Sequence, residues 1–271
     1  MAEPVRKRPP QEIDTPDEVP STFIRWVEGP DGRFEPRDFP LTPEDFLDPQ
    51  IGDTMVQGRR HSRAVLELAE LIRRHLLSRP DALVMSDVKH LIEPGRGPSP
   101  DISVLLGAQD IDDDWDEEEE ESYDMARHGI APSLIIEVVS PKDSRIRKVD
   151  EVDKVGLYAR VGVKEYILED TPRRATGWCY RLRGYRLDAR GRYQDIRPDD
   201  QGRLLSETTG LLFGVSVQGD RIEVFDASTG ERILYPLEIE QARTREEYAR
   251  KAAEAEVARL RREIERLRGE G

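Results

Sequence analysis

Residues 133–139 read Ser-Leu-Ile-Ile-Glu-Val-Val, an apolar run of strand length with a single acid, Glu137, near its middle. A run this short and β-branched, closed by Pro141 two residues on, reads as a buried strand. Burying an ionised carboxylate costs several kcal/mol unless it is paired or binds a metal. Glu137 therefore needs a partner. Side chains alternate along a strand, so Ile136 and Val138 face one side of the sheet and Glu137 the other.

Working outward, the preceding apolar run is Asp101-Ile-Ser-Val-Leu-Leu106, with Asp101 placed directly after Pro100. Two carboxylates near the ends of neighbouring strands can converge on one hard cation. Mg²⁺ suits such a site, because water fills the positions that protein oxygens leave open. On the C-terminal side, Ser140-Pro-Lys-Asp-Ser144 reads as a helix start with Pro141 just inside it. The helix is expected to run to about Arg160, with Val152, Val155, Leu157, Tyr158 and Val161 as its apolar contacts and Gly162 as its cap. Asp150, Lys154 and Tyr158 follow one another at single-turn spacing on it. That face could carry the Lys154 ammonium to the two carboxylates, where it would orient a water or stabilise charge on phosphorus.

The rest of the chain supplies the frame. Thr22 to Val27 reads as a short strand, and Thr42 as the N-cap of a short helix in PLTPEDFLDP. His61 to Leu77 has the helical pattern Val65, Leu68, Ala69, Ile72, Leu76. Ala82 to Ile92 reads as one strand and Lys164 to Glu169 as another. The order is helix, three strands, helix, strand, with a right-handed crossover expected at the last step. Further hairpins are expected around Gly184 and Gly191 and in RIEVFDASTGERIL. Residues 1–20, rich in Pro and acids, are expected to be a disordered tail. Residues 21–236 form the main domain, and residues 237–271 a charged helix. There Val257, Leu260, Ile264 and Leu267 alternate three and four apart, as in a short coiled coil.

Composition sets limits. The 271 residues are 37% apolar and 36% charged, which suggests an ordinary core with charged segments attached. One cysteine, Cys179, leaves no disulfide within the chain and no thiolate zinc site. Four scattered histidines argue against a histidine metal centre. No apolar run approaches a membrane span, and the N-terminus has no secretory pattern, so a cytoplasmic setting is expected. The net charge of −14 weighs against nucleic-acid binding, but much of the excess sits in one run, Asp110 to Glu121, expected to be a solvated loop.

The segments PSPDISVL, PSLIIEVVSP, DEVDKVGLYARVGVKEY and RRHSRAVLELAELI closely resemble the Uma-type family of endonucleases, within the PD-(D/E)XK nuclease superfamily. The resemblance covers roughly residues 40 to 235. It implies an α/β (α+β) fold with a restriction-endonuclease-like core in αβββαβ order. It further implies a Mg²⁺- or Mn²⁺-dependent endonuclease acting on DNA, with Asp101 and Glu137 as metal ligands. The superfamily signature places a lysine two residues after the acid, where this chain has Val139. The resemblance implies that Lys154 supplies the missing ammonium, with Asp150 in support; Lys142 and Lys89 are weaker candidates.

Each residue alone has an ordinary reading. Asp101 could be a turn residue, Glu137 half of a buried ion pair, Lys154 a surface lysine paired with Asp150, His61 a plain helix-start residue, and Trp115 a packing residue of the acidic loop. The alternative for the whole chain is an inactive nuclease fold that assembles, as a homodimer, through its C-terminal helix. RNA stays open as a substrate beside DNA.

Overall fold

The computed structural model describes residues 21–55, 58–109, 111, 122–139, 143–170, 173–174, 177–178 and 180–269. The expectations for residues 1–20, for the acidic run apart from Ile111, and for Trp115, Pro141, Lys142 and Cys179 lie outside these residues. Contacts divide the chain into two units, one ending at Ile233 and one beginning at Leu234.

The first unit opens with β1 (Thr22–Glu28) and β2 (Phe34–Pro40), which pair antiparallel, and β3 (Thr54–Met55) joins β1 on its other edge. Between them lies α1 (Pro43–Leu47). Thr42 caps it as its sequence predicts: the hydroxyl accepts from the Asp45 amide, and Asp45 answers to the Thr42 amide. α2 (Arg59–His75) follows and buries Val65, Leu68, Ala69 and Ile72.

The strand expected over Ala82–Ile92 is two strands. β4 (Ala82–Ser86) ends at Asp87, whose φ of 56° breaks the pleat, and β5 (Lys89–Leu91) turns away to pair with β7 (Ser122–Asp124). A short polar residue such as Asp tolerates this left-handed conformation better than most. β6 (Ile102–Leu106) lies antiparallel to β4, β8 (Leu134–Val138) antiparallel to β6, and β9 (Glu165–Asp170) parallel to β8. After the short pair β10 (Arg173–Arg174) and β11 (Gly177–Trp178), β12 (Arg181–Leu187) and β13 (Tyr193–Asp195) complete the large sheet, in order β13-β12-β9-β8-β6-β4. Gly191 sits in the β12–β13 turn with φ 72°. Gly184 does not mark a turn. It lies within β12 opposite Ile167, where a Cβ would come 3.1 Å from both Ile196 Cδ1 and Leu204 Cδ1. A separate sheet, β14 (Leu204–Ser206), β15 (Leu211–Val215) and β16 (Ile222–Asp226), closes the unit.

The connection from β8 to β9 is one helical stretch broken in the middle: Ser144–Lys148, a π-helical turn over Val149–Asp153, then Lys154–Arg160. It starts at Ser144 with Asp143 as N-cap, later than the start expected near Pro141. The π turn adds a residue to one turn and shifts the phase of the apolar stripe. Val152, expected to face inward, is therefore 54% exposed, while Ile146, Val149, Asp150, Lys154 and Tyr158 are buried. Tyr158 packs with Ile135, Val139, Val163, Tyr166 and Leu168.

The second unit is the helix Pro236–Gly269. Among the described residues, no helix is long and apolar enough to cross a membrane.

Candidate active site

Register places the two acids together. β6 and β8 run antiparallel with Ile102 opposite Ile136, so Asp101, just before β6, comes opposite Glu137. The Asp101 amide contacts Glu137 Oε2 at 3.4 Å, and Asp101 Oδ2 accepts from the Val138 amide at 2.7 Å. Both residues are buried, yet both line a cleft of about 380 Å³ whose other walls include Phe46, Met55, Asp87 and Lys89.

Lys154 reaches this pair from the helix. Its Nζ donates to Glu137 Oε1 at 2.8 Å and lies 2.9 Å from Asp150 Oδ1; the latter contact is an ion pair not aligned as a hydrogen bond. Tyr158 Oη donates to the same Glu137 oxygen at 2.8 Å. The ring of Phe46, carried by α1, lies over the ammonium at 4.2 Å from its centroid. Lys154 is 1% exposed, so it is enclosed rather than open to the cleft. Of the two weaker lysine candidates, Lys89 lines the cleft, but its ammonium is taken by Asp48 Oδ1 and the carbonyls of Pro49 and Gly95. It ties the end of α1 to the loop after β5. Lys142 lies outside the described residues.

The histidine read as a plain helix-start residue belongs to the site. His61 Nε2 lies 3.0 Å from Asp101 Oδ1. Burial works against its charge, but the Asp101 carboxylate beside it prevails and pushes its pKa up to about 9. Asp101 is held below the usual carboxylate range: burial opposes this, and His61 and Lys154 outweigh it. Glu137 goes the other way. Burial raises it, Lys154 pulls it down, and Asp101 and Asp150 push it up again, leaving it well above an ordinary Glu. Lys154 loses by burial and gains more from Asp150, Glu137 and Asp101, so it stays protonated well above an ordinary lysine. A lysine held this firmly as an ammonium can orient and neutralise, but it is no base.

This chain matches the model of the Uma2 family, described as "Putative restriction endonuclease", over residues 45–232. The chain belongs to the Uma2 family. A crystal structure of a "putative nuclease" from Anabaena variabilis is similar at 19% identity, covering 78% of this chain and 80% of that one, with a TM-score of 0.34. No curated protein matches. The mixed α/β fold of this Uma2-family chain is of the restriction-endonuclease-like kind.

In this Uma2-family chain Val139 is 1% exposed within the cluster of Ile135, Tyr158, Val163, Tyr166 and Leu168, an environment with no place for an ammonium. The lysine in contact with Glu137 is Lys154, on the helix that packs Tyr158 into that cluster.

The residues present fit a divalent cation. Among the described residues Glu137 Oε2 has only the long contact to Asp101, and three acids, Asp101, Glu137 and Asp150, face two cations, Lys154 and His61, so the site is short of positive charge. Among the described residues no three His, Cys, Asp or Glu side chains converge at metal-binding distance. A donor set of two carboxylates with water in the remaining positions is the pattern of Mg²⁺ or Mn²⁺, not of zinc.

Proposed function

We propose that this chain is a metal-dependent endonuclease that hydrolyses phosphodiester bonds in DNA. The observation that carries the reading is the 2.8 Å contact that brings the Lys154 ammonium to Glu137, across from Asp101, at the edge of an open cleft. In this reading Asp101 and Glu137 hold Mg²⁺ or Mn²⁺. The bound ion would supply an activated water and a Lewis acid for the phosphate. Lys154, enclosed behind Glu137, fixes that carboxylate and offsets the negative charge of the acids around it; Asp150 and Tyr158 hold Lys154 and Glu137 in place. His61 orients Asp101. Arg59, Arg60 and Arg63, exposed around His61 on the first turn of α2, offer local positive charge to a phosphate backbone despite the acidic whole. A cytoplasmic setting is in keeping with this reading.

The test uses supercoiled plasmid and single-stranded DNA with Mg²⁺, Mn²⁺ or EDTA, and the variants Asp101→Ala and Glu137→Ala. Cleavage that requires metal and disappears in both variants is expected; full metal-dependent cleavage by Glu137→Ala refutes the assignment.

One observation favours a second reading, a nuclease fold kept for binding or assembly: Lys154 is shut in beneath Phe46. This reading predicts no cleavage and no carboxylate-dependent heat of Mg²⁺ binding by calorimetry.

A further inference from the structure

The C-terminal helix carries an exposed apolar stripe. Val257, Leu260 and Ile264 are 48%, 45% and 49% exposed. In heptad terms Val257 and Ile264 occupy a positions and Leu260 a d position; by sequence Ala253 and Leu267 hold the flanking d positions. Upstream, the same positions hold Arg250 and Glu246, which stop an apolar seam. The seam is thus confined to about residues 253–267. The remainder of the helix is steadied from within by ion pairs such as Arg250–Glu254 at 3.7 Å and Lys251–Glu247 at 2.6 Å.

The residues flanking the seam decide what covers it. Glu256 and Glu263 fall at g positions, Arg261 and Arg268 at the following e positions. In a parallel, in-register pair each g residue meets the e residue five places on in the other chain. Here that sets Glu256 against Arg261 and Glu263 against Arg268, attractive in every case. In an antiparallel pair g meets g and e meets e, which sets glutamate against glutamate along the g row, while the e row of Glu254, Arg261 and Arg268 holds both charges. An acidic or basic partner helix would satisfy only half of the flanks.

We propose that residues 253–267 form a parallel, in-register two-stranded coiled coil with a second copy of this chain. Each coil is entered from its N-terminal end, so both chains reach the pair at the same end. This inference does not depend on the reading of the cleft. The seam is short, so the pair is concentration-dependent.

Two sets of variants of the full chain test it, both with Cys179→Ser. Val257→Cys and Ile264→Cys, oxidised separately, are each expected to give a disulfide-linked dimer, because like positions face one another in a parallel register. In an antiparallel pair a positions face d positions, so neither would do so, while a mixture of Val257→Cys with Leu260→Cys would cross-link between them. That result, or no cross-linking in either variant, overturns the proposal. In sedimentation, Glu256→Arg and Arg261→Glu alone are each expected to weaken association about tenfold. The double variant should recover it. In the free helix Glu256 also pairs with Arg259 at 2.7 Å. Loss of that contact is common to Glu256→Arg and to the double variant, so recovery isolates the pairing between chains. Absence of recovery overturns the orientation.

Discussion

Lys154 is bound to two buried acids, and its removal would strand both. Glu137 and Asp150 are 1% and 2% exposed, and Lys154 is the cation in contact with each. Removing one partner of a buried ion pair typically costs about 3 kcal/mol or more. Lys154→Met is thus expected to lower stability by on the order of 3 kcal/mol in urea unfolding, besides removing cleavage. Glu137→Gln in the same background should return part of the loss. His90 provides a separate pH dependence. It is fully buried, its Nδ1 lies 2.8 Å from the Val88 carbonyl oxygen, and its Nε2 has no partner among the described residues. Burial outweighs that hydrogen bond and lowers its pKa from 6.5 to about 4. Because the folded pKa is depressed, the unfolded chain takes up a proton first as pH falls. Stability from this residue is complete above pH 6.5, declines between about 6.5 and 4, and levels off below. The drop should amount to on the order of 3 kcal/mol and be absent in His90→Asn, as read by denaturation at successive pH values. Glu137 was legible at this scale because an acid inside SLIIEVV demands a partner. His61 was not, since its partner Asp101 stands forty positions away and only tertiary structure joins them.

Elements impose their own constraints on the site. The loop after β5 folds back so closely that a Cβ on Gly97, with φ 154°, would lie 1.9 Å from the His90 carbonyl oxygen. Asp48 holds that loop through the Gly97 amide and Arg96, and holds Lys89 as well. Gly97→Ala must therefore push backbone against backbone. A loss of at least about 2 kcal/mol is expected, visible as a lowered melting temperature; an unchanged value would mean the loop does not adopt this path. The capping box at Thr42 and the spacing of Asp150, Lys154 and Tyr158 were readable from sequence, because both are local patterns. The break of the expected strand at Asp87 and the π turn at Val149–Asp153 were not. Each is a backbone deviation imposed by packing, and Asp and Val occur in ordinary strands and helices as well.

For the molecule as a whole, the net charge of −14 sets long-range repulsion for DNA against a local basic group at α2. If Arg59 and Arg60 each contact a phosphate, Arg59→Ala and Arg60→Ala should each weaken DNA binding and lower the slope of log affinity against log salt by about one. An unchanged slope would place the DNA path elsewhere. The mixed α/β class, the two acids on adjacent strand ends and the helical lysine were legible in hydrophobic runs and single charges within them; the exact element order was not, since β5, β7 and a short helix Met125–His128 interpose. The pairing of β5 with β7 joins segments more than thirty residues apart and left no local signal. The aromatic ring placed over Lys154 has a consequence of another kind. Protons near the face of a benzene ring are shielded by its ring current, so the methylene group next to the Lys154 ammonium should resonate upfield of other lysines. This gives the residue a magnetic address, by which its place beneath Phe46 can be followed in solution without substrate or turnover.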